Sequence, residues 1–159
     1  MASHLSDLEH RLREHDLYDA EIVAHGFVPY LRDYRLLVDR LSEAPLGLYE
    51  YVFTGCMEAR YTVTLPPSAI SMDERLVDAG AEGGPDDAFR WSAGSACSAE
   101  EGVTLSASSQ RASYWTERLG RPMFEIVLGT NVFELALVFH DLAIRPTGAV
   151  EAPRLPPNV

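Results

Sequence analysis

From Tyr49 to Thr64 the chain alternates strictly between two kinds of side chain. Tyr49, Tyr51, Phe53, Gly55, Met57, Ala59, Tyr61 and Val63 form one set, and none is charged. Glu50, Val52, Thr54, Cys56, Glu58, Arg60, Thr62 and Thr64 form the other. Successive side chains of an extended chain point to opposite faces, so this pattern predicts a half-buried β-strand. Fully extended, such a run would reach about 50 Å at roughly 3.3 Å per residue, too long for one flat strand in a small domain. A bend or bulge is therefore expected at Gly55.

The rest of the chain is built around that strand. Ser6 to Glu9 fits a capping box, and Leu5, Leu8 and Leu12 make an apolar stripe, predicting a charged N-terminal helix over residues 1–16. Ile22, Val23, Ala24 and Phe27 predict a first strand within Asp16–Phe27, and Tyr34, Leu36 and Val38 define one face of a second, Tyr34–Leu41. Their closeness in sequence to the long strand favours an antiparallel meander. Pro66 and Pro67 stop the long strand. A helix over Pro67–Ala79, an acidic loop over Ala79–Asp87 and a short strand at Phe89–Trp91 are expected next. A strand at Val103–Ala107 and a helix at Ser109–Leu119 follow, the helix packing Ala112, Trp115 and Leu119 and ending at Gly120. Two last strands, Met123–Leu128 and Val132–Ile144, are joined by a short link, and apolar residues on both faces of the latter predict a central position. The expected fold is α+β: one mostly antiparallel sheet of about six or seven strands with two or three helices on one face. Residues 1–145 read as a single domain, and 146–159 as a loosely ordered proline-rich tail.

Composition then narrows function. A net charge of −11 disfavours nucleic acid and anionic membranes and favours a basic protein partner. All 13 basic residues besides histidine are arginine. Without lysine there is no phosphate-loop lysine and no Schiff-base chemistry. The N-terminus lacks a basic region followed by an apolar core, and no apolar run suffices for a membrane span, so a cytoplasmic location is expected. Two unspaced cysteines, Cys56 and Cys97, make neither a disulfide framework nor a zinc ribbon, and no cofactor is expected.

Three sites compete. Cys97 or Cys56 with His140 and Asp141 has the residue types of a nucleophilic triad, but no local signature supports it. His25, His140 and Asp141, with Asp19, have the donor chemistry of a zinc or iron site in a small metal-dependent hydrolase, although nothing in their spacing makes them meet. His4, His10 and His15 do not share a helix face. Glu50 and Glu58 lie roughly 25 Å apart on one extended strand, beyond paired-carboxylate distances. The third site is a surface: a polar ladder of Glu50, Thr54, Glu58, Arg60 and Thr62, bordered by Glu82, Asp86 and Asp87, suited to a basic partner. Self-pairing of an exposed sheet face or edge into a homodimer is a further option. The preferred reading is a non-enzymatic protein-binding module.

The run His25-Gly26-Phe27-Val28-Pro29-Tyr30-Leu31-Arg32-Asp33-Tyr34 resembles the opening of the bacterial YxiG-like family. The resemblance continues through Tyr51–Ala59, Trp115–Gly120 and Glu125–Leu142, where Thr130-Asn131 precedes Leu135-Ala-Leu-Val-Phe-His-Asp-Leu142. It brings no established activity and no catalytic residues. Because such proteins are associated by genomic context with polymorphic-toxin loci, it implies an immunity-like, toxin-neutralising role.

Overall fold

In the computed structural model, residues 2–28, 32–40, 47–63, 99–130 and 133–147 are described. The helix expected at Pro67–Ala79, the acidic loop with Asp86 and Asp87, the strand at Phe89–Trp91, Cys97 and residues 148–159 lie outside them. Helix α1 spans Ala2–Glu14, and β1 (Glu21–Phe27), β2 (Tyr34–Arg40), β3 (Gly47–Thr54) and β4 (Glu58–Val63) follow. After them come β5 (Ala99–Ser106), α2 (Gln110–Leu119), β6 (Phe124–Thr130), β7 (Phe133–Phe139) and β8 (Asp141–Pro146).

The α+β class and the antiparallel pairing are as expected, but the strands divide between two sheets. The front sheet has the order β1-β2-β3-β8 and the back sheet β4-β7-β6-β5. Two strands read as continuous in sequence cause this division. The 49–64 run breaks at Gly55, sending β3 to the front and β4 to the back. The 132–144 run breaks at His140, sending β7 to the back and β8 to the front. Since β3 pairs with β8 and β4 with β7, the two runs form one antiparallel ribbon that bends once. Strands that switch sheets at a bend are how packed sheets make a corner.

The faces buried are those the alternation marks. Leu36, Val38, Tyr51 and Phe53 point in from the front sheet, and Ile126, Leu128, Leu135, Leu137 and Phe139 from the back. Phe53 and Phe139 meet edge to face at 4.9 Å. Each such side chain stabilises the fold by about 1.5–3 kcal/mol when fully buried. β7, apolar on both faces, is central in its sheet as expected, whereas β8 is an edge.

The helices do not share one face. α1 runs beside the β8 edge, with Leu8 fully buried and Leu5 and Leu12 packed against the core. It begins at Ala2, so Ser6 lies inside it and the expected capping box is not its start. α2 ends at Gly120 as expected, and Ser109, read as its first residue, caps its start. Ser109 Oγ accepts from the Ala112 N–H at 3.0 Å, and Gly120, at φ 64°, closes the helix with its N–H on the Thr116 carbonyl at 2.9 Å. Ala112 is buried, whereas Leu119, expected on the packed side, is 38% exposed.

Candidate functional site

The sandwich has two ends, and the ribbon's bend defines one of them. At this corner Gly55 has φ +59°, a left-handed conformation that costs other residues roughly 1–2 kcal/mol. A Cβ there would also sit 2.9 Å from Arg121 Nη2, the end of a flexible side chain, and 3.3 Å from the His140 Cβ, which would have to give by a few tenths of an ångström. Its N–H donates to Asp33 Oδ1 at 3.0 Å, and the His140 N–H donates to the Thr54 carbonyl at 3.0 Å, tying the two crossings together.

His140 and Asp141 both lie here, but in holding roles. His140 Nδ1 donates to the Pro122 carbonyl at 2.7 Å. Asp141 Oδ1 accepts from the Leu142 N–H at 2.9 Å and Arg11 Nη1 at 3.1 Å, with His4 Nε2 at 3.3 Å. Burial raises the Asp141 pKa, but the Leu142 N–H, His4 and Arg11 outweigh it and hold the carboxyl below its ordinary value. These bonds anchor α1 to β8, and they bring His4 to 5.5 Å from His140, a juxtaposition that spacing along the helix does not reveal.

Cys56 follows the corner glycine, yet its thiol donates to the Glu58 carbonyl at 3.2 Å and is pushed up to about 12, chiefly by burial. A thiol so protonated is a poor nucleophile at neutral pH.

His25 lies elsewhere. In the seam between β1 and β4 it stacks on Tyr61 at 5.5 Å, packs on Phe133 at 5.0 Å and pairs Nδ1 with the Tyr34 hydroxyl at 2.6 Å. Burial lowers its pKa. β1 and β8 are opposite edges of the front sheet, so three strand spacings, roughly 14 Å, separate its strand from that of Asp141. His25, His140 and Asp141 therefore do not converge, and Asp19 is at the other end of the sandwich. Among the described residues, no group of three or more His, Cys, Asp or Glu is arranged to hold a metal.

The polar ladder is divided as well. Glu50 and Thr54 are on the front sheet, Glu58 and Arg60 on the back. The Glu50 side chain is 10% exposed and bridges Arg35 at 3.0 Å and Arg145 at 2.5 Å. Glu58 accepts from the Trp115 indole at 2.6 Å with Arg111 at 3.5 Å, and Arg60 pairs with Glu125. Thr54 Oγ1 donates to the Asp141 carbonyl at 3.3 Å.

The end away from the corner is built differently. Residues 15–20 cross it, with Leu17 and Ala20 buried and the Tyr51 hydroxyl donating to the His15 carbonyl at 2.9 Å. Here Glu21 and Asp39 stand directly opposite each other across β1 and β2. Their neighbours Ile22 and Val38 are buried, so both carboxylates face outward. Like charges so placed cost a few tenths to about 1 kcal/mol. Asp19, beside them, has φ 57°. Neither Glu21, Asp39, Asp19, Asp16 nor Glu9 has an arginine or histidine ion pair among the described residues. Glu9 and Asp16 also border a cleft of about 620 Å³ between α1 and β5, together with Leu12, Arg13, Tyr18, Val103 and Leu105. Sequence reasoning missed this end because the Glu21–Asp39 opposition exists only once the β1–β2 register is known.

A family model described as YxiG-like protein matches residues 4–155, nearly the whole chain, and the chain belongs to that family. No curated protein and no solved structure matches it. Among the described residues, no helix is long and apolar enough to cross a membrane.

Proposed function

We propose that this YxiG-like protein is a non-enzymatic binding module, immunity-like in role, that engages a basic protein partner through the acidic end of its sandwich. The observation that carries this reading is the outward-facing pair Glu21 and Asp39, opposed in register with no arginine or histidine pairing either among the described residues. A partner's arginine or lysine set between them would turn a repulsion within the fold into an attraction across an interface. Asp16 and Asp19 extend the same acidic field. Of the residues first expected, Asp86 and Asp87 lie outside the described residues. Glu50 and Glu58 already have arginine partners, and reversing them would disturb the fold as well as any interface.

The test uses the purified protein as bait in lysate of its native host at low and moderate salt, beside two variants. Asp39→Arg removes the field while offering Glu21 an internal ion pair, so the fold should hold. Glu117→Arg, on the exposed face of α2, changes the charge equally and is the control. The expected result is one basic protein held in stoichiometric amount by the wild type and the control, released by salt and lost from Asp39→Arg. Equal capture by all three baits, or no basic protein at low salt, would overturn the reading.

A further inference from the structure

The cleft between α1 and β5 is assembled from three segments. On α1, Glu9 and Leu12 are three residues apart and share a face. Leu12 packs against the core, and Glu9 stays exposed. On β5, Val103 and Leu105 alternate toward the same side, and both pack against the core. Asp16 and Tyr18 complete the lining, with Asp16 Oδ1 accepting from the Tyr18 N–H at 3.0 Å. The result is about 620 Å³ of free space with an apolar floor and carboxylates at its border. Tyr18 is 54% exposed, so the cleft is reached from solvent. A volume of this size suits a bound side-chain group rather than a bare ion.

Its charges are left over. Neither Glu9 nor Asp16 has an arginine or histidine ion pair among the described residues. Arg13 borders the cleft too, but its Nε donates to the Glu9 backbone carbonyl at 3.3 Å and not to a carboxylate. An apolar floor, an aromatic ring and uncompensated carboxylates together match one side chain, arginine. Its aliphatic stem lies along apolar surface, while its planar guanidinium stacks on a ring and donates to carboxylates. An anion would be repelled here, and a wholly apolar side chain would leave the carboxylates desolvated and unpaired.

We infer that this cleft is the anchor pocket for an arginine side chain of the basic partner. The stem lies over Leu12, Val103 and Leu105, and the guanidinium meets Tyr18 within reach of Glu9 and Asp16. This rests on the reading of a basic partner and deepens it. Residues 15–20 lead from the cleft to the opposed Glu21 and Asp39, so one side of the end holds a residue and the other attracts charge. A few anchors seated in pockets, arginine often among them, carry most of an interface's affinity. An open acidic field acts more on association rate and salt dependence.

The probe is the peptide acetyl-Gly-Arg-Gly-amide, with its citrulline counterpart as a neutral control of similar shape. Each is titrated into the isotope-labelled full chain at physiological salt and followed by amide chemical shifts. The expected result is saturable shifts at Leu12, Tyr18, Val103 and Leu105 with arginine and none with citrulline. Glu9→Gln combined with Asp16→Asn, which keeps an acceptor for the Tyr18 N–H, should raise the dissociation constant about threefold or more, and Tyr18→Ala by a similar factor. Asp39→Arg should leave this titration unchanged. Its strand, β2, is two strand spacings from β8, roughly 10 Å, beyond the screening length of about 8 Å. Absence of a saturable shift would overturn the inference, as would citrulline or lysine peptides binding as well as arginine, shifts spread over every exposed carboxylate, or a dissociation constant that none of the cleft variants moves. A cleft that fails here leaves the Asp39→Arg bait comparison standing, and a failed bait comparison leaves this titration readable, so the two failures are told apart.

Discussion

The two ends of the sandwich treat their carboxylates in opposite ways. At the corner, Asp33 receives the Gly55 N–H, and Asp141 receives the Leu142 N–H and Arg11 with His4 beside it. At the far end Glu21 faces Asp39, and the chain supplies neither with an arginine or histidine ion pair among the described residues. The residue types are the same, so the difference lies in what the fold presents to them. Both sheet crossings meet at the corner, and a carboxylate there fixes backbone that must hold its bend. At the far end the crossing of residues 15–20 uses one carboxylate, Asp16, which accepts from the Tyr18 N–H at 3.0 Å, whereas the opposed Glu21 and Asp39 add repulsion and a field. An acidic protein therefore need not bind wherever it is acidic; the carboxylates available to a partner are those its own fold leaves uncompensated.

The largest expected effect is at the corner glycine. Gly55→Ala should cost about 2–3 kcal/mol in urea denaturation, a backbone penalty of roughly 1–2 kcal/mol plus crowding against Arg121 and His140. Gly120 sharpens the comparison, because its φ of +64° is similar but nothing lies within 4 Å of an added Cβ. Gly120→Ala should therefore show only the backbone penalty, again roughly 1–2 kcal/mol. Equal losses at the two glycines would mean that Arg121 moves aside without cost.

Next in size is Glu50→Gln. It leaves Arg35 and Arg145 without their shared counter-ion, but both arginines reach solvent, at 49% and 66% exposure, which limits the loss to about 1 kcal/mol. The same denaturation experiment reads it, and no loss would mean that this pairing is as dispensable as an ordinary surface ion pair.

Asp141 predicts a pH dependence. Its folded pKa lies below the unfolded value, so its stabilising contribution is present above the unfolded pKa, near 4, and is lost as pH falls through the folded value. Stability measured at pH 6 and again below pH 4 should therefore drop more in the wild type than in Asp141→Asn. Parallel drops would show that other carboxylates carry the acid transition.

Much of this architecture is legible in the sequence, because alternation reports a face and glycine reports a bend. Tyr51 and Phe53 are inside, Gly55 is the break, and Gly120 ends α2 as read. The second crossing was not legible. His140 interrupts an apolar run without glycine or proline, and its role comes from Pro122 and Thr54, distant in sequence. Nothing local marks it as a corner, so two sheets read as one. The site was obscured for a related reason. Glu50, Glu58 and Arg60 look like an open polar ladder along one strand, but their partners Arg35, Arg145, Arg111 and Glu125 come from other elements. Periodicity shows which way a side chain points and not what it meets there.

The smallest expected effect discriminates best, because its sign is opposite to the others. Asp39→Asn removes one of two like charges opposed across β1 and β2, so stability should stay level or rise by a few tenths of a kcal/mol. Most substitutions destabilise, and a gain on deleting a charge identifies a residue kept at some cost to the fold. The gain should be largest at low ionic strength and fade with added salt, since it comes from relieved repulsion near the surface. A loss comparable to that of Glu50→Gln would show that Asp39 is held by the fold after all. The two ends would then no longer differ in kind, and the acidic end would lose its claim to be the docking surface.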